Sequence, residues 1–227
     1  MKKAFYIINA ILFALLCVGD AFYMTSGELW VKGLASSVFV ITGLVNFFYL
    51  IKAKNGNFKY ALIMVIGLFL GATADVLLGI NFIVGAGVFA LGHVVYYVAY
   101  MFIKKFKLLD LVIATAIAVP AVLFITLASM FDFGQVFMQI VCCVYAIIIS
   151  LMLGKAISNF IREKNLTNLI IMIGCILFFF SDLMLLLCRF GGLGIATDIL
   201  CLVSYYPAQF ILAFSIFVNA NKNKQQK

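Results

Sequence analysis

Two aspartates set inside long apolar runs, Asp75 and Asp182, are the side chains best placed to do chemistry. Asp75 stands in Gly71-Ala72-Thr73-Ala74-Asp75-Val76-Leu77-Leu78, and Asp182 in Phe180-Ser181-Asp182-Leu183-Met184. Ionisable groups inside a membrane span are costly and mark partners, pathways or active sites. Two carboxyls brought close in a low dielectric share one proton, because both cannot ionise cheaply. One is then an acid, and the other stabilises positive charge. His93, the single histidine, opens a stripe with Tyr96, Tyr97 and Tyr100 at i+3, i+4 and i+7, all on one helical face. Further along, Tyr205 and Gln209 share a face at i+4, with Tyr206 beside them and Asp198 a turn or two earlier. An imidazole, phenols and an amide can orient water or relay protons to such acids. Each group also has a structural reading: carboxyls at interfacial helix ends or bonded to neighbouring helices, a buried neutral imidazole, tyrosines packed between helices, Asp198 as a loop-end group.

Other chemistries lack their residues. There is no His-Glu-x-x-His helix, no glycine-rich phosphate loop and no Gly-x-Ser-x-Gly elbow. Two aspartates and one histidine, with no second histidine or cysteine to join them, make a poor zinc site, so neither a metal nor a cofactor is expected. The six cysteines (Cys17, Cys142, Cys143, Cys175, Cys188, Cys201) fall in or beside apolar runs and form no Cys-x-x-Cys pair. They read as small core residues rather than a disulfide framework or a metal site.

The elements that must position these groups follow from composition. Of 227 residues, 67% are hydrophobic and only 11% charged, against roughly 45–50% and about 25% in a soluble domain. A water-soluble fold of this size cannot hide so much apolar surface, so lipid must be the outer solvent. Runs of about 20 apolar residues, enough to cross about 30 Å of hydrocarbon, occur at approximately 4–24, 31–51, 60–80, 82–103, 108–129, 135–154, 167–188 and 195–218. The fold expected is all-α: a polytopic membrane protein of about eight transmembrane helices, forming one transmembrane domain over residues 1–227. The third and fourth runs meet around Gly79-Ile80-Asn81, which requires a tight hairpin, and Pro120 and Pro207 inside spans are expected to kink them. Lys2-Lys3 ahead of an apolar stretch resembles a secretory signal, but no small-x-small cleavage site follows, and Leu16 before Cys17 is too large for a lipoprotein-type cut. The stretch reads as an uncleaved first span.

Charge sets the orientation. Lys2, Lys3, Lys52, Lys54, Lys59, Lys104, Lys105, Lys107, Lys155, Arg162, Lys164, Lys222, Lys224 and Lys227 fall on one side, and only Lys32 and Arg189 on the other, 14 against 2. The positive-inside rule places the basic side, with both termini, in the cytoplasm of a cell-membrane protein. The net charge of +8 comes from these short clusters rather than from one basic face, so nucleic acid is not expected as a partner. Asp75 and Asp182 each lie 14 or more residues past the basic ends of their runs, about 20 Å or more across at 1.5 Å per residue.

There is also an internal repeat. Ile66-Gly67 and Asp75 recur 107 residues later as Ile173-Gly174 and Asp182, and Tyr96-Tyr97 is echoed by Tyr205-Tyr206 after a two-residue insertion. A shift of four spans preserves membrane orientation, so the pattern reads as two parallel four-helix halves, about 1–107 and 108–227.

Several of these pieces together resemble the YhhN family of membrane proteins, which includes the lysoplasmalogenases. They are Gly67-Leu68 through Asp75-Val76-Leu77-Leu78, Phe89-Ala90-Leu91-Gly92-His93-Val94-Val95-Tyr96, Ile176-Leu177-Phe178-Phe179-Phe180-Ser181-Asp182-Leu183 and Tyr205-Tyr206-Pro207-Ala208-Gln209. Lys32, Tyr145 and Met152 fit weaker family positions, so the likeness covers nearly the whole chain. One departure is Ala74 before Asp75, where members commonly carry Gly-Asp; it should affect helix packing more than proton chemistry.

What the resemblance implies is hydrolysis of the vinyl ether bond of a lysoplasmalogen to a fatty aldehyde and a glycerophospho-alcohol, with a lysophospholipid in the bilayer as substrate. Vinyl ethers are cleaved by protonating the β-carbon, and water captures the resulting oxocarbenium ion. Asp75 and Asp182 are expected to supply acid and carboxylate, with His93, Tyr96, Tyr97, Tyr205, Tyr206 and Gln209 orienting water or substrate. Lys32 and Arg189, the only cations on their side, are expected to hold the lipid phosphate, or else to snorkel to water. A proton-coupled or small-substrate transporter is the main alternative, since parallel repeats and intramembrane acids occur there too. An intramembrane aspartyl protease ranks third, because the Gly-x-Gly-Asp context is missing.

Overall fold

The computed structural model describes residues 2–222, so Lys224 and Lys227 of the basic count lie outside the described residues. Eight helices account for nearly all of it: α1 (Lys2–Ser26), α2 (Leu29–Ala53), α3 (Phe58–Ile80), α4 (Phe82–Met101), α5 (Leu108–Leu127), α6 (Val136–Arg162), α7 (Leu166–Phe190) and α8 (Ile195–Ala220). There is no strand among the described residues, and all eight helices are long and apolar enough to span a membrane. The fold is an all-α polytopic one.

Boundaries match the apolar runs closely except at α6. That helix continues to Arg162, so Lys155 and Arg162, expected in a connecting loop, are helical. The reason is local neutralisation. Lys155, with no exposed surface, pairs with Asp110 at the start of α5 at 2.7 Å, and Arg162 reaches the same carboxylate at 3.5 Å. Ser158 donates to it as well. A lysine thus paired can lie between helices, whereas an unpaired one would be expelled to water. Pro120 and Pro207 both lie within continuous helices, α5 and α8.

The α3–α4 hairpin is as tight as the sequence requires. Asn81 alone joins the helices; its N–H bonds Leu77 O and its side chain accepts from Val84 N. Gly85 makes the close return possible, because a Cβ there would stand 2.5 Å from the Leu78 backbone nitrogen. Within each set of four, neighbours in sequence pack together, α3 along α4, α5 along α6 and α7 along α8 most extensively. The two most extensive contacts between the sets are α2 against α8 and α4 against α6. Each places the second helix of one set of four against the fourth helix of the other.

Connections gather at two ends. At the basic end Asn55 and Asn57 bond Ala220 and Asn219 in the last turn of α8, Asn57 also bonds Phe102 O, and Glu163 pairs with Lys104 and Lys222. At the opposite end Asp132 N bonds Phe190 O, and the Phe82 and Phe133 rings flank Phe190. Polar ties also link the first two helices of each set: Asn9 and Asn46 exchange two hydrogen bonds of 2.9 Å between α1 and α2, and Asp110–Lys155 joins α5 to α6. The outer faces of α1 and α5 remain apolar and exposed, Ile7, Ile11, Val18, Val112, Val119 and Leu127 among them, as suits a lipid solvent.

Candidate functional site

The two aspartates sit in the half of the bundle away from the basic end, each in its own cluster. Three residues at i, i+4 and i+8 on α3 build the first: Gly67, Gly71 and Asp75. Because they share a face, the glycines open space for side chains from facing helices. A Cβ at Gly67 would collide with the Tyr96 ring, and one at Gly71 would stand 2.6 Å from Gln209 Nε2. Into that space runs a chain of hydrogen bonds. Tyr96 OH donates to Gln209 Oε1 at 2.8 Å, Gln209 Nε2 to Tyr205 OH at 3.1 Å, and Tyr205 OH to Asp75 Oδ2 at 2.7 Å. Ser36 on α2 donates to the same oxygen at 2.5 Å, while Lys32 Nζ stands 3.7 Å from Oδ1. Asp75 is 2% exposed, so its partners are protein groups rather than open solvent. The neighbouring Ala74 is itself fully buried, so packing is where the departure from Gly-Asp is felt.

The second cluster is smaller and more open. Tyr145 OH on α6 donates to Asp182 Oδ2 at 2.8 Å, and His93 Nε2 on α4 lies 2.8 Å from the same hydroxyl and 3.3 Å from Asp182 Oδ2. With the tyrosine proton spent on Asp182, His93 Nε2–H is the donor to the phenol oxygen, which leaves Nδ1 as the unprotonated nitrogen. That nitrogen is buried and has no hydrogen-bond partner among the described residues. Asp182, 13% exposed at its side chain, lines a cleft enclosing about 780 Å³, its open mouth included. Apart from Asp182 and Tyr145 the walls are almost wholly apolar, with Leu78, Phe82, Phe124, Leu186 and Phe190 towards the end opposite the basic one.

The aspartates, expected to be a proton-sharing pair, share no hydrogen-bond partner among the described residues, and Phe178 stands between the two clusters, its ring 4.8 Å from His93 and 5.4 Å from Tyr205. Each carboxyl has its own set of donors. Lys32 does not converge with Arg189 either. It is drawn inward to Asp75, with the Tyr23 ring 5.6 Å away, whereas Arg189 is exposed over the Phe82 ring at 5.4 Å. Tyr97 is half-buried on the rim of the core, and the buried Tyr206 hydroxyl makes no hydrogen bond with a described residue. Asp198 lies in the first turn of α8.

Two participants, and one buried acid outside both clusters, went unread in the sequence. Ser36 is one serine among several in an apolar run, and only α2–α3 adjacency reveals its bond to Asp75. Tyr145 was visible only as a weaker family position, yet it joins His93 to Asp182. Asp20 on α1 is a third intramembrane carboxyl, 7% exposed, and its Oδ1 has no partner among the described residues. Its position inside an apolar run was a legible signal. No group of three metal-ligating side chains converges among the described residues.

A model of the YhhN family matches residues 34–216. The chain belongs to the YhhN family. The match takes in Ser36, Asp75, His93, Tyr145, Asp182, Tyr205 and Gln209, both clusters less Lys32, which falls just before it. No curated protein and no solved structure matches the chain. As a YhhN protein, it carries its buried polar groups in two reciprocal sets. Asp75 on α3 is held from α2 and α8; Asp182 on α7 is held from α6 and α4. Ser36 and Tyr145 are 109 positions apart, and so are Tyr96 and Tyr205.

Proposed function

We propose that this YhhN protein hydrolyses the vinyl ether of a lysoplasmalogen, with Asp182 as the acid at the bottom of a lipid-shaped cleft. The observation that carries the reading is a cleft with apolar walls that Asp182 and Tyr145 line, with His93 buried behind them. An alkenyl chain would fill the apolar part and bring its ether carbon to Asp182.

The bookkeeping of protons closes within the cluster. Protonated Asp182 gives its proton to the β-carbon of the vinyl ether, and the adjacent carbon becomes an oxocarbenium ion facing the new carboxylate. Water adds to that carbon and returns a proton to Asp182. The resulting hemiacetal breaks its bond to the glycerol oxygen, which releases a fatty aldehyde and a glycerophospho-alcohol. Tyr145 can accept from a protonated Asp182 and donate to His93 Nε2 when the imidazole carries its proton on Nδ1, so a proton passed along this path makes an imidazolium and returns from it to Asp182. Asp75, ion-paired and fully enclosed, suits a supporting part: it fixes Tyr205, whose ring packs on Phe178 behind His93. The two sets of four helices we read as parallel halves. The basic end we assign to the cytoplasm, which puts the cleft towards the outer leaflet.

The deciding experiment is aldehyde release from a lysoplasmalogen by the purified full chain in an uncharged detergent. Release at a rate above the spontaneous one supports the reading. Absence of release, with the same lipid moved across a liposome membrane, would favour the transporter.

A further inference from the structure

At the basic end, α1, α7 and α8 leave a recess that the proposed reaction does not use. Lys2, Tyr6, Leu166, Thr167, Val218 and Lys222 line it, and it encloses about 640 Å³, its mouth included. Its floor is the start of α7. Asn165 caps that helix by accepting from Asn168 N, and Leu169 N bonds Asn165 O, whereas the N–H groups of Leu166 and Thr167 have no partner among the described residues. The first amides of a helix carry the positive end of its dipole and aim at whatever lies ahead.

A second observation marks the recess as a place for a ligand. Thr167 is 2% exposed, lines the recess, and makes no side-chain hydrogen bond with any described residue. Its oxygen is not fully enclosed, so the hydroxyl is open to the recess and can be taken up by a ligand there. The surrounding charge is also one-sided. Lys222 and Lys104 share the single carboxylate of Glu163, and Lys2 has the Tyr6 ring 5.9 Å from its ammonium as its only described partner. Three ammonium groups against one carboxylate leave the site positive.

We propose that this recess binds a phosphate oxyanion, seated on the Leu166 and Thr167 amides and the Thr167 hydroxyl between Lys2 and Lys222. Amides at a helix start, a hydroxyl and two ammonium groups together match a tetrahedral anion with several acceptor oxygens. Leu166 and Val218 give the rim an apolar side that an acyl chain can follow, so the phosphate of an acidic phospholipid in the adjoining leaflet fits as well as a free one. The site is independent of the hydrolysis, since it lies at the other end of the bundle.

The test is the melting temperature of the full chain in uncharged detergent, titrated separately with short-chain phosphatidylglycerol, inorganic phosphate at constant ionic strength, and a diacylglycerol of the same chain length. Phosphate-bearing probes should raise it and diacylglycerol should not, because only ligands of the folded state stabilise. A rise with phosphatidylglycerol alone identifies a lipid headgroup, and a rise with both phosphates identifies the phosphate itself. Thr167→Val combined with Lys2→Gln should weaken the response at least about tenfold, the order of one charge-assisted contact, and Thr167→Ser with Lys2 intact should retain it. Equal responses in wild type and the double variant, or no response to either phosphate, overturn the proposal.

Discussion

His93 and Asp182 stand 3.3 Å apart, although 89 positions of sequence separate them and they belong to different sets of four helices. The contact forms because α4 packs on α6 and Tyr145 of α6 reaches both. The same exchange, reflected, joins Asp75 of α3 to Tyr205 of α8. Neither carboxyl is therefore a property of its own half of the chain. Each is completed by the other half, and this bears on what single substitutions will do.

Asp182→Asn should leave a protein that folds and melts like the wild type, while aldehyde release falls by at least about a hundredfold, the low end for losing a general acid. The side chain is partly open to the cleft, and an amide can still accept from Tyr145. Turnover close to wild type would remove Asp182 from the acid role.

Asp75→Asn should behave differently, losing stability as well as rate. The change strands the Lys32 ammonium against an uncharged amide, and breaking a buried ion pair from one side typically costs about 3–5 kcal/mol. Lys32 is 13% exposed and can turn partly to water, so the loss should sit at or below the low end of that range. Combining Asp75→Asn with Lys32→Met should recover part of the melting temperature without recovering full turnover. Failure of the second change to restore any stability would mean that the pair is not what holds this cluster.

Tyr145→Phe should slow aldehyde release more than it lowers the melting temperature. It removes the hydroxyl common to His93 and Asp182 but leaves the ring packed 5.4 Å from His93. His93→Ala should cost less than Asp182→Asn, since the imidazole acts through that hydroxyl. Rates that fall equally in Tyr145→Phe and Asp182→Asn would place the phenol, rather than the carboxyl, next to the substrate.

Glu163 offers a pH test at the basic end. Hydrogen bonds from Lys104 and then from Lys222 pull its carboxyl down to about 2 from the usual carboxylate range. A depressed folded value stabilises the protein above the unfolded value near about 4.3, and this stabilisation is lost as pH falls from there through about 2. The melting temperature of wild type should therefore exceed that of Glu163→Gln at pH 6, and the gap should shrink steadily below about pH 4. A gap that stays constant down to pH 3 would show that the two lysines do not act through charge.

The fold was largely legible because a bilayer imposes one rule, that each span be apolar and about 20 residues long. The exception, the extra length of α6, was hidden because Lys155 and Arg162 look like loop cations until Asp110 is seen beside them. The site was half legible. Asp75 and Asp182 announce themselves as acids in apolar runs, and the i+4 spacing of Tyr205 and Gln209 put both on one helical face, which the structure turns towards α3. Which helices face each other is not written in periodicity, so the cross-pairing, Ser36 and the Phe178 partition could not be read. The same gap hid the partner that Lys32, at the head of α2 and expected to be a headgroup ligand, finds in Asp75 on α3.

That pairing sets apart the two cations expected to meet the lipid phosphate. Arg189 remains free for the role: it is exposed, it sits over Phe82 at 5.4 Å, and both Phe82 and the neighbouring Phe190 line the cleft that Asp182 opens into. From Asp182 to Arg189 is seven residues, about 10 Å along a helix, comparable to the length of a glycerophosphate. A guanidinium there can engage a phosphate bidentately while its stem stays on the ring. Arg189→Ala should then raise KM for a phosphate-bearing lysoplasmalogen and leave kcat and the KM for an uncharged alkenylglycerol unchanged. Lys32→Ala should instead impair both substrates alike and lower the melting temperature, because it leaves the buried Asp75 carboxyl without its counter-charge. Should Arg189→Ala damage both substrates equally, the guanidinium would be holding the cleft mouth in shape rather than reading the headgroup. Should Lys32→Ala spare the uncharged substrate, the lysine rather than the arginine would be the phosphate ligand.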